Sequence, residues 1–310
     1  MILTGSRTLE LQEFDLPLEE DRIVVDVAAW GICNSEIGDW KGLAASYPRT
    51  IGHEWAGTAV HVGAATTGIR EGDLVTGLGG VGLADFISVK DSDCYRLSPR
   101  IDPIHAMCEP LKCVVTVVRA AAPEAGDVAV VVGCGPMGLW CIQLLAGNLL
   151  SALIAVDPDT RRLELARRYG ATHALDPRST DVEAEVRRIS AGHMADFVIE
   201  GTGRTDVLGQ SLTFLKKSRG RLTLMSMYKE PGSGIDFRKI MEKAVEVRGV
   251  FPNYSTDEPD DMRRAIALLE RGVLDIRGLV THRYSLEDSE AGYRACEQQS
   301  DGYVKGIIIP

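Results

Sequence analysis

The sequence predicts an α/β protein: a doubly wound parallel sheet joined to a second, β-rich domain. Three observations carry this. From Val128 onward, short β-branched runs alternate with helical runs, the pattern of βα units whose parallel strands are covered on both faces. A glycine cluster, GCGPMG at 133–138, sits between the first such strand and the first such helix. Ahead of it, residues 1 to about 115 hold Val-, Ala- and Thr-rich segments separated by glycine-rich turns.

The elements follow in chain order. Ile23–Val27 and Glu54–Val62 read as strands of the β-rich part, with GLGGVG at 77–82 as a turn. VAVVV (128–132) reads as the first buried parallel strand, and the run after the glycines as a helix. LIAVD (153–157) is the second strand and RRLELARRYG (161–170) the helix behind it. DFVIEGTG (196–203) and RLTLMSM (221–227) are two further strands, with a helical stretch near 206–217 between them. DMRRAIALLERG (261–272) reads as an amphipathic helix stopped by a glycine, and the tail YVKGIIIP as strand. Val128–Leu150 carries no charged residue and so imitates a membrane span. Three glycines and a proline near its middle favour a buried strand, a tight turn and a buried helix instead. No internal repeat is present.

Composition narrows the function. Of 310 residues, 45% are apolar and 25% charged, which excludes a disordered chain. The 44 acidic against 34 basic residues give a net charge of −10. That balance argues against nucleic-acid and anionic-membrane partners, which need a basic footprint. Seven cysteines, an odd number with no CxxC pair, point to a reducing compartment and a cytoplasmic protein. The N-terminal stretch has no basic region followed by an apolar one, so no signal peptide is read.

The glycine cluster has a physical reading. Gly133, Gly135 and Gly138 satisfy GxGxxG where a strand passes into a helix. There, backbone N–H groups and a helix N-terminus can hold a pyrophosphate. Gly133 permits the tight turn, Gly135 lets a phosphate approach the backbone, and Gly138 allows close packing of helix on strand. Asp157 ends the next strand. It stands at the usual spacing beyond the glycines for a carboxylate that reads a ribose 2′-hydroxyl and repels a 2′-phosphate. NAD is therefore expected over NADP. Arg161 and Arg162 lie just beyond and fit a solvated helix start, although Arg162 is near enough to join the cofactor set. The expected cofactor-binding residues are Gly133, Gly135, Pro136, Met137, Gly138, Asp157 and Arg162.

A second cluster lies upstream. GICNSEIGDW (31–40) holds Cys33 and Ser35; IGHEWAG (51–57) holds His53 and Glu54. Taken singly, Cys33 and His53 read as ordinary core residues. Together they offer thiolate, imidazole and carboxylate, the ligand types zinc accepts. Several motifs now occur in one order: GIC-x-S, GHE, EGD-x-V (71–75), EPL (109–111), GCGPMG, IEGTG (199–203) and GYVKGIII. In this combination the chain resembles the medium-chain dehydrogenases/reductases, in their zinc-dependent alcohol and polyol dehydrogenase group.

That resemblance implies a GroES-like catalytic domain over 1–115, a Rossmann NAD-binding domain over 116–252, and a segment 253–310 completing the first. It implies one zinc per chain on Cys33 and His53, with Glu54 in or beside the ligand set. Glu109 matches the glutamate of polyol- and threonine-type members, and its neighbour Cys108 reads as a buried hydrophobe. Ser35 matches the hydroxyl that takes the substrate's proton, and Glu54 is the second catalytic candidate. The implied reaction interconverts a secondary alcohol of polyol, sugar or cyclitol type and its ketone by hydride transfer, in a homodimer or homotetramer. The chain departs from the family in three places. The structural-zinc lobe of four cysteines is missing between Thr76 and Phe86. Gly38 replaces the relay histidine of many members. Asn34 and Glu36 replace the usual Gly and Asp. Two alternatives stand beside this reading: a zinc-free reductase of the same superfamily, and an inactive NAD-binding protein. His61, His105, His173, His193 and His282 read as structural or surface residues. Trp40, Tyr47 and Trp55 flank the zinc motifs and fit either pocket wall or core.

Overall fold

The computed structural model describes residues 1–16, 18–44, 46–79, 82–228, 235–250, 254–299 and 302–310. Within the turn GLGGVG, Gly80 and Val81 lie outside this set, as do Pro252 and Asn253, on which the expected 252/253 boundary falls. The chain divides into two compact units, Met1–Leu111 with Ile266–Pro310, and Lys112–Ala265.

The first unit is β-rich. Its strands are β1 (Ile2–Gly5), β2 (Thr8–Glu10), β3 (Arg22–Gly31), β4 (Arg49–Thr50), β5 (Glu54–Val62), β6 (Leu74–Gly77), β7 (Phe86–Lys90) and β8 (Cys94–Arg96). The antiparallel β3–β5 pair is its spine, with Gly31 opposite Glu54 and Trp30 opposite Trp55. Buried Ile23, Val25 and Val27 of β3 alternate toward a core that includes Trp30, Trp40 and Trp55, all three fully buried. Trp40 and Trp55 are therefore core residues. Each spends its indole N–H on an acceptor, Glu297 at 3.0 Å and the Gly79 carbonyl at 2.9 Å, as buried indoles must.

The second unit opens with α1 (Glu109–Ala121), which crosses the division between the units. It continues as β9 (Val128–Val132), α2 (Pro136–Leu145), β10 (Ala152–Val156), α3 (Thr160–Arg168), β11 (His173–Leu175) and α4 (Val182–Ile189). Then come β12 (Phe197–Glu200), α5 (Thr205–Phe214), β13 (Arg221–Leu224), α6 (Phe237–Lys243), β14 (Glu246–Gly249) and α7 (Glu258–Glu270). The sheet order is β11-β10-β9-β12-β13-β14, every neighbour parallel. This is the doubly wound order 3-2-1-4-5-6, which places ligands at the carboxyl ends of the central strands. Every residue of β9 and of β10 is buried, which explains their unbroken apolar composition. The stretch resembling a membrane span is β9, the turn and α2. No described helix is long and apolar enough to cross a membrane.

The chain then returns to the first unit as β15 (Val280–Ser285), α8 (Ser289–Gln298) and β16 (Lys305–Ile309). Strand β16 lies between β15 and β3, so Lys305 is brought beside the ends of β3 and β5. The unit division falls inside α7, at Ala265/Ile266, as the first falls inside α1, at Leu111/Lys112. A helix running through a boundary carries no shift in composition, which is why the boundaries expected from the sequence stand at 115/116 and 252/253 instead.

Candidate active site

Strand ends build the first site. Cys33 follows β3 and caps a short 3-10 turn at Asn34–Glu36; His53 immediately precedes β5 and Glu54 begins it. The antiparallel β3–β5 register thus brings two motifs well separated in sequence side by side. One ligand atom from each of Cys33, His53 and Glu54 lies within 4.8 Å of the other two. Among the described residues they form the single group of three or more metal-ligating side chains so arranged.

Each member has a support. The Glu36 carboxylate lies 2.7 Å from His53 Nδ1 and accepts the Gly52 N–H at 2.7 Å. Its second oxygen accepts the Tyr293 hydroxyl at 2.7 Å. With Nδ1 on a carboxylate, Nε2 is the ring nitrogen left to bind a metal, the usual way a ligating histidine is oriented. Glu54, 1% exposed, is paired with Lys305 Nζ at 2.5 Å. Lys305, itself 4% exposed, also donates to the Ile32 carbonyl at 3.0 Å. Ser35 Oγ lies 3.1 Å from Cys33 Sγ.

The electrostatics fit a cation. Burial raises the Cys33 thiol pKa, and the nearby Glu54 charge adds to it. Burial alone would lower His53, but its contacts with Cys33 and Glu36 outweigh that and push it up to about 12. Burial likewise works against Glu54 ionisation, and Lys305 overrides it, holding the carboxyl below the ordinary range. The groups that raise His53 are a thiol and a carboxylate, both able to carry negative charge. One thiolate, one imidazole and one carboxylate are a donor set that suits zinc.

The expected ligand Glu109 and its neighbour Cys108 are not in this group. Glu109 is the first residue of α1 and is not among the three clustered side chains. Cys108 is fully buried, its thiol pushed up by burial and then by the Glu270 charge, and its N–H donates to Thr76 Oγ1 at 3.1 Å. Three supports went unassigned in the sequence. Glu36 appeared only as a departure from Asp. Lys305 carried a signal, because a lone charge inside YVKGIII must find a partner if that strand is buried. Tyr293 carried none.

The second site is a backbone feature of the other unit. Gly133 follows β9 with φ +91°, a left-handed conformation that disfavours side chains. A Cβ on Gly138 would lie 2.0 Å from the Gly133 carbonyl oxygen, so helix α2 packs on this turn only without one. A Cβ on Gly135 would meet nothing within 4 Å and would point into open space. Pro136 and Met137 form the first turn of α2, whose leading N–H groups have no partner within the helix. Asp157, 4% exposed, accepts the Cys134 N–H on one oxygen and the Asp159 N–H on the other, each at 2.7 Å. Its charge is thus fixed at the carboxyl end of β10, beside the turn. Arg162 is near enough for its charge to act on Cys134.

Two known families match the chain: "Alcohol dehydrogenase GroES-like domain" over residues 19–98 and "Zinc-binding dehydrogenase" over 136–271. The chain belongs to the zinc-dependent, alcohol dehydrogenase-like medium-chain dehydrogenases/reductases. As a member it is a zinc-binding oxidoreductase acting on alcohol groups. It is 26% identical to a sorbitol dehydrogenase of Halalkalibacterium halodurans, over 93% of this chain and 92% of that one. It is 24% identical to an L-threonine 3-dehydrogenase of Bacillus velezensis, over 97% and 95%. A "putative zinc-binding dehydrogenase" of Sinorhizobium meliloti, solved bound to NADP, superposes with a TM-score of 0.88 at 25% identity, covering 100% of this chain and 98% of that one.

Proposed function

We propose that this member oxidises a polyol-type secondary alcohol to its ketone, reversibly, with NAD as the partner cofactor and one zinc held by Cys33, His53 and Glu54. The observation that carries the reading is the convergence of these three side chains, with buried Glu36 behind His53 and buried Lys305 behind Glu54. Sorbitol and L-threonine, named for two relatives, share a secondary hydroxyl.

When bound, zinc supplies a Lewis acid that lowers the pKa of a substrate hydroxyl, and the dinucleotide supplies the hydride acceptor. The chain's own residues do the rest. Glu36 holds the His53 ring in one orientation, and Lys305 keeps the Glu54 carboxylate charged. The exposed Ser35 hydroxyl accepts the proton released from the substrate as it passes its own to solvent water. Glu109, outside the cluster, is left without a ligand role in this reading. Gly133, Gly135 and Gly138, with the start of α2 at Pro136 and Met137, receive the pyrophosphate. Asp157 favours NAD over NADP through its charge. Its oxygens retain lone pairs for a ribose hydroxyl beside the two backbone donors. Arg162 borders this end of the site.

The clustered cysteine, histidine and glutamate favour this reading over a zinc-free reductase. All seven cysteines are free thiols, which supports a reducing, cytoplasmic setting. Exposed Phe237 and Met241 on α6 and Val247 on the edge strand β14 support pairing with a second copy. The test is zinc per chain by elemental analysis in wild type and Cys33→Ser, followed by a panel of polyols and cyclitols with NAD⁺ and NADP⁺. About one zinc is expected in wild type and none in the variant, with the rate down by about 10³-fold or more. Wild-type protein purified without chelator and free of zinc would overturn the proposal.

A further inference from the structure

The Lys112–Ala265 unit contains a cavity that the dehydrogenase reading does not use. Its volume is about 840 Å³, and six of its lining residues are polar groups of interest: Arg187, His193, Asp196, Lys216, Lys217 and Lys243. Val128 and Ser151 also line it, at the starts of β9 and β10. The cavity therefore lies at the amino ends of the parallel strands. The glycine turn follows the opposite, carboxyl end of β9, roughly 16 Å away at about 3.3 Å per residue of strand. It is a different place from the dinucleotide site.

Its charge is opposite to that of the protein. Four cations and one carboxylate line it, in a chain of net charge −10. Asp196 is taken by Lys216 at 2.5 Å, and Arg187 shares an exposed pair with Glu183 at 3.0 Å. Lys243 donates to the carbonyls of Leu212, Thr213 and Leu215, at 2.8–3.0 Å, where α5 ends. Burial lowers the Lys243 pKa, and the charges of Lys239, Arg187 and Lys217 lower it further against the opposing pull of Glu183. Asp196 and Glu183 offset two of these four positive charges, and the lining keeps a net positive charge.

The walls are pre-built. Lys216 N–H donates to the Ala195 carbonyl, and Ala195 N–H to that of Phe214, both at 2.9 Å. Ser218 and Arg219 N–H groups donate to Lys243 and Ala244, at 2.7 and 3.0 Å. Of eight non-glycine residues with positive φ among the described residues, five lie on or beside this lining: Ala191, Met194, Ser218, Arg219 and Ala244. Backbone in that region carries a cost, and residues held there cluster at sites that need a fixed shape.

We propose that this cavity is a second ligand site, taking a small anion with two or more negative charges, either a phosphate or a polycarboxylate. Its volume falls in the range of small-molecule sites. Cations gathered on a fixed backbone frame give charge-assisted hydrogen bonds to such an anion.

The test is calorimetric titration of the zinc enzyme with inorganic phosphate and, separately, malonate. Saturating NADH is present throughout, so that the glycine turn is occupied. One equivalent of at least one probe binds wild type. In the double variant Arg187→Ala/Lys217→Ala the Kd rises at least tenfold, while the charge-preserving Arg187→Lys/Lys217→Arg retains binding. Both residues are exposed, so neither variant threatens the fold. Binding of phosphate alone assigns the site to phosphates, and of malonate alone to carboxylates. Absence of saturable binding by both probes overturns the proposal, as does binding that the alanine variant leaves unchanged.

Discussion

The metal cluster of the β-rich unit and the glycine turn of the parallel-sheet unit are made by opposite means. The first is a set of side chains: three donors, each with a charged or hydrogen-bonding neighbour to orient it. The second is an omission of side chains, leaving bare backbone between β9 and α2. One site fails when atoms are removed, the other when atoms are added. The two also differ in redundancy. The cluster has buried carboxylates and a lysine behind it, so loss of one support weakens it by degrees. The turn has no slack where α2 meets it, because its packing distance is set by a missing Cβ.

The largest effect expected in this comparison comes from Gly138→Ala. A methyl group 2.0 Å from a carbonyl oxygen cannot be accommodated without moving α2. Overpacking of this kind costs about 1–3 kcal/mol, and NADH binding is lost with it. Urea unfolding and NADH fluorescence titration check both. A variant as stable as wild type would break the account of that turn. Gly135→Ala separates packing from ligand approach. Its methyl meets no protein atom within 4 Å, so stability stays within about 0.5 kcal/mol of wild type. Its NADH Kd nevertheless rises tenfold or more, because the added group occupies the phosphate's place.

On the metal side, Glu36→Gln preserves size and hydrogen-bonding capacity but removes the charge behind His53. Loss of such a partner lowers metal affinity about 10- to 100-fold, measured by competition with a chromogenic chelator. Unchanged affinity would reduce Glu36 to a packing role for Tyr293 and Gly52.

The same contrast governs what could be read from the sequence. Strands β5, β9 and β10 and helix α3 were legible because burial on both faces, or on one stripe, imposes a local composition. The glycine turn was legible because backbone chemistry is written contiguously. Strands β11 and β14 were not seen: the first is a short segment without a pattern, and the second, EVRG, is a half-charged edge strand. Helix α4 had a usable signal in Asp181, whose side chain accepts the Ala184 N–H at 3.0 Å and caps it. Cys33, His53 and Glu54 were legible as donor types. Tyr293 was not, and Lys305 was legible only as a charge in need of a partner, since both reach the site through α8 and β16, from the far end of the chain. Glu109, which motif order suggested as a ligand, is not among the three clustered side chains.

The smallest effect asks how far the support behind His53 extends. Tyr293, which donates to Glu36, stacks on Trp40 at 5.5 Å between ring centroids. Trp40 Nε1 donates to Glu297 at 3.0 Å, and Glu297 is held by Arg7 at the surface. The Arg7 hydrogen bond pulls the Glu297 carboxyl down to about 2, against the effect of burial. A depressed carboxyl contributes stability that is complete above its unfolded value near 4.5 and is lost as pH falls through about 2. Glu297→Gln should therefore flatten the acid limb of the stability curve between those values. Arg7 is 41% exposed, so solvent screening holds the cost at neutral pH to about 1 kcal/mol or less. Zinc affinity should not change, because Gln can still accept the Trp40 N–H and the stack on Tyr293 stays buried. A fall in zinc affinity comparable to that of Glu36→Gln would mean that the cluster is tuned from the surface. It would then be the less redundant of the two sites, reversing the contrast with the glycine turn.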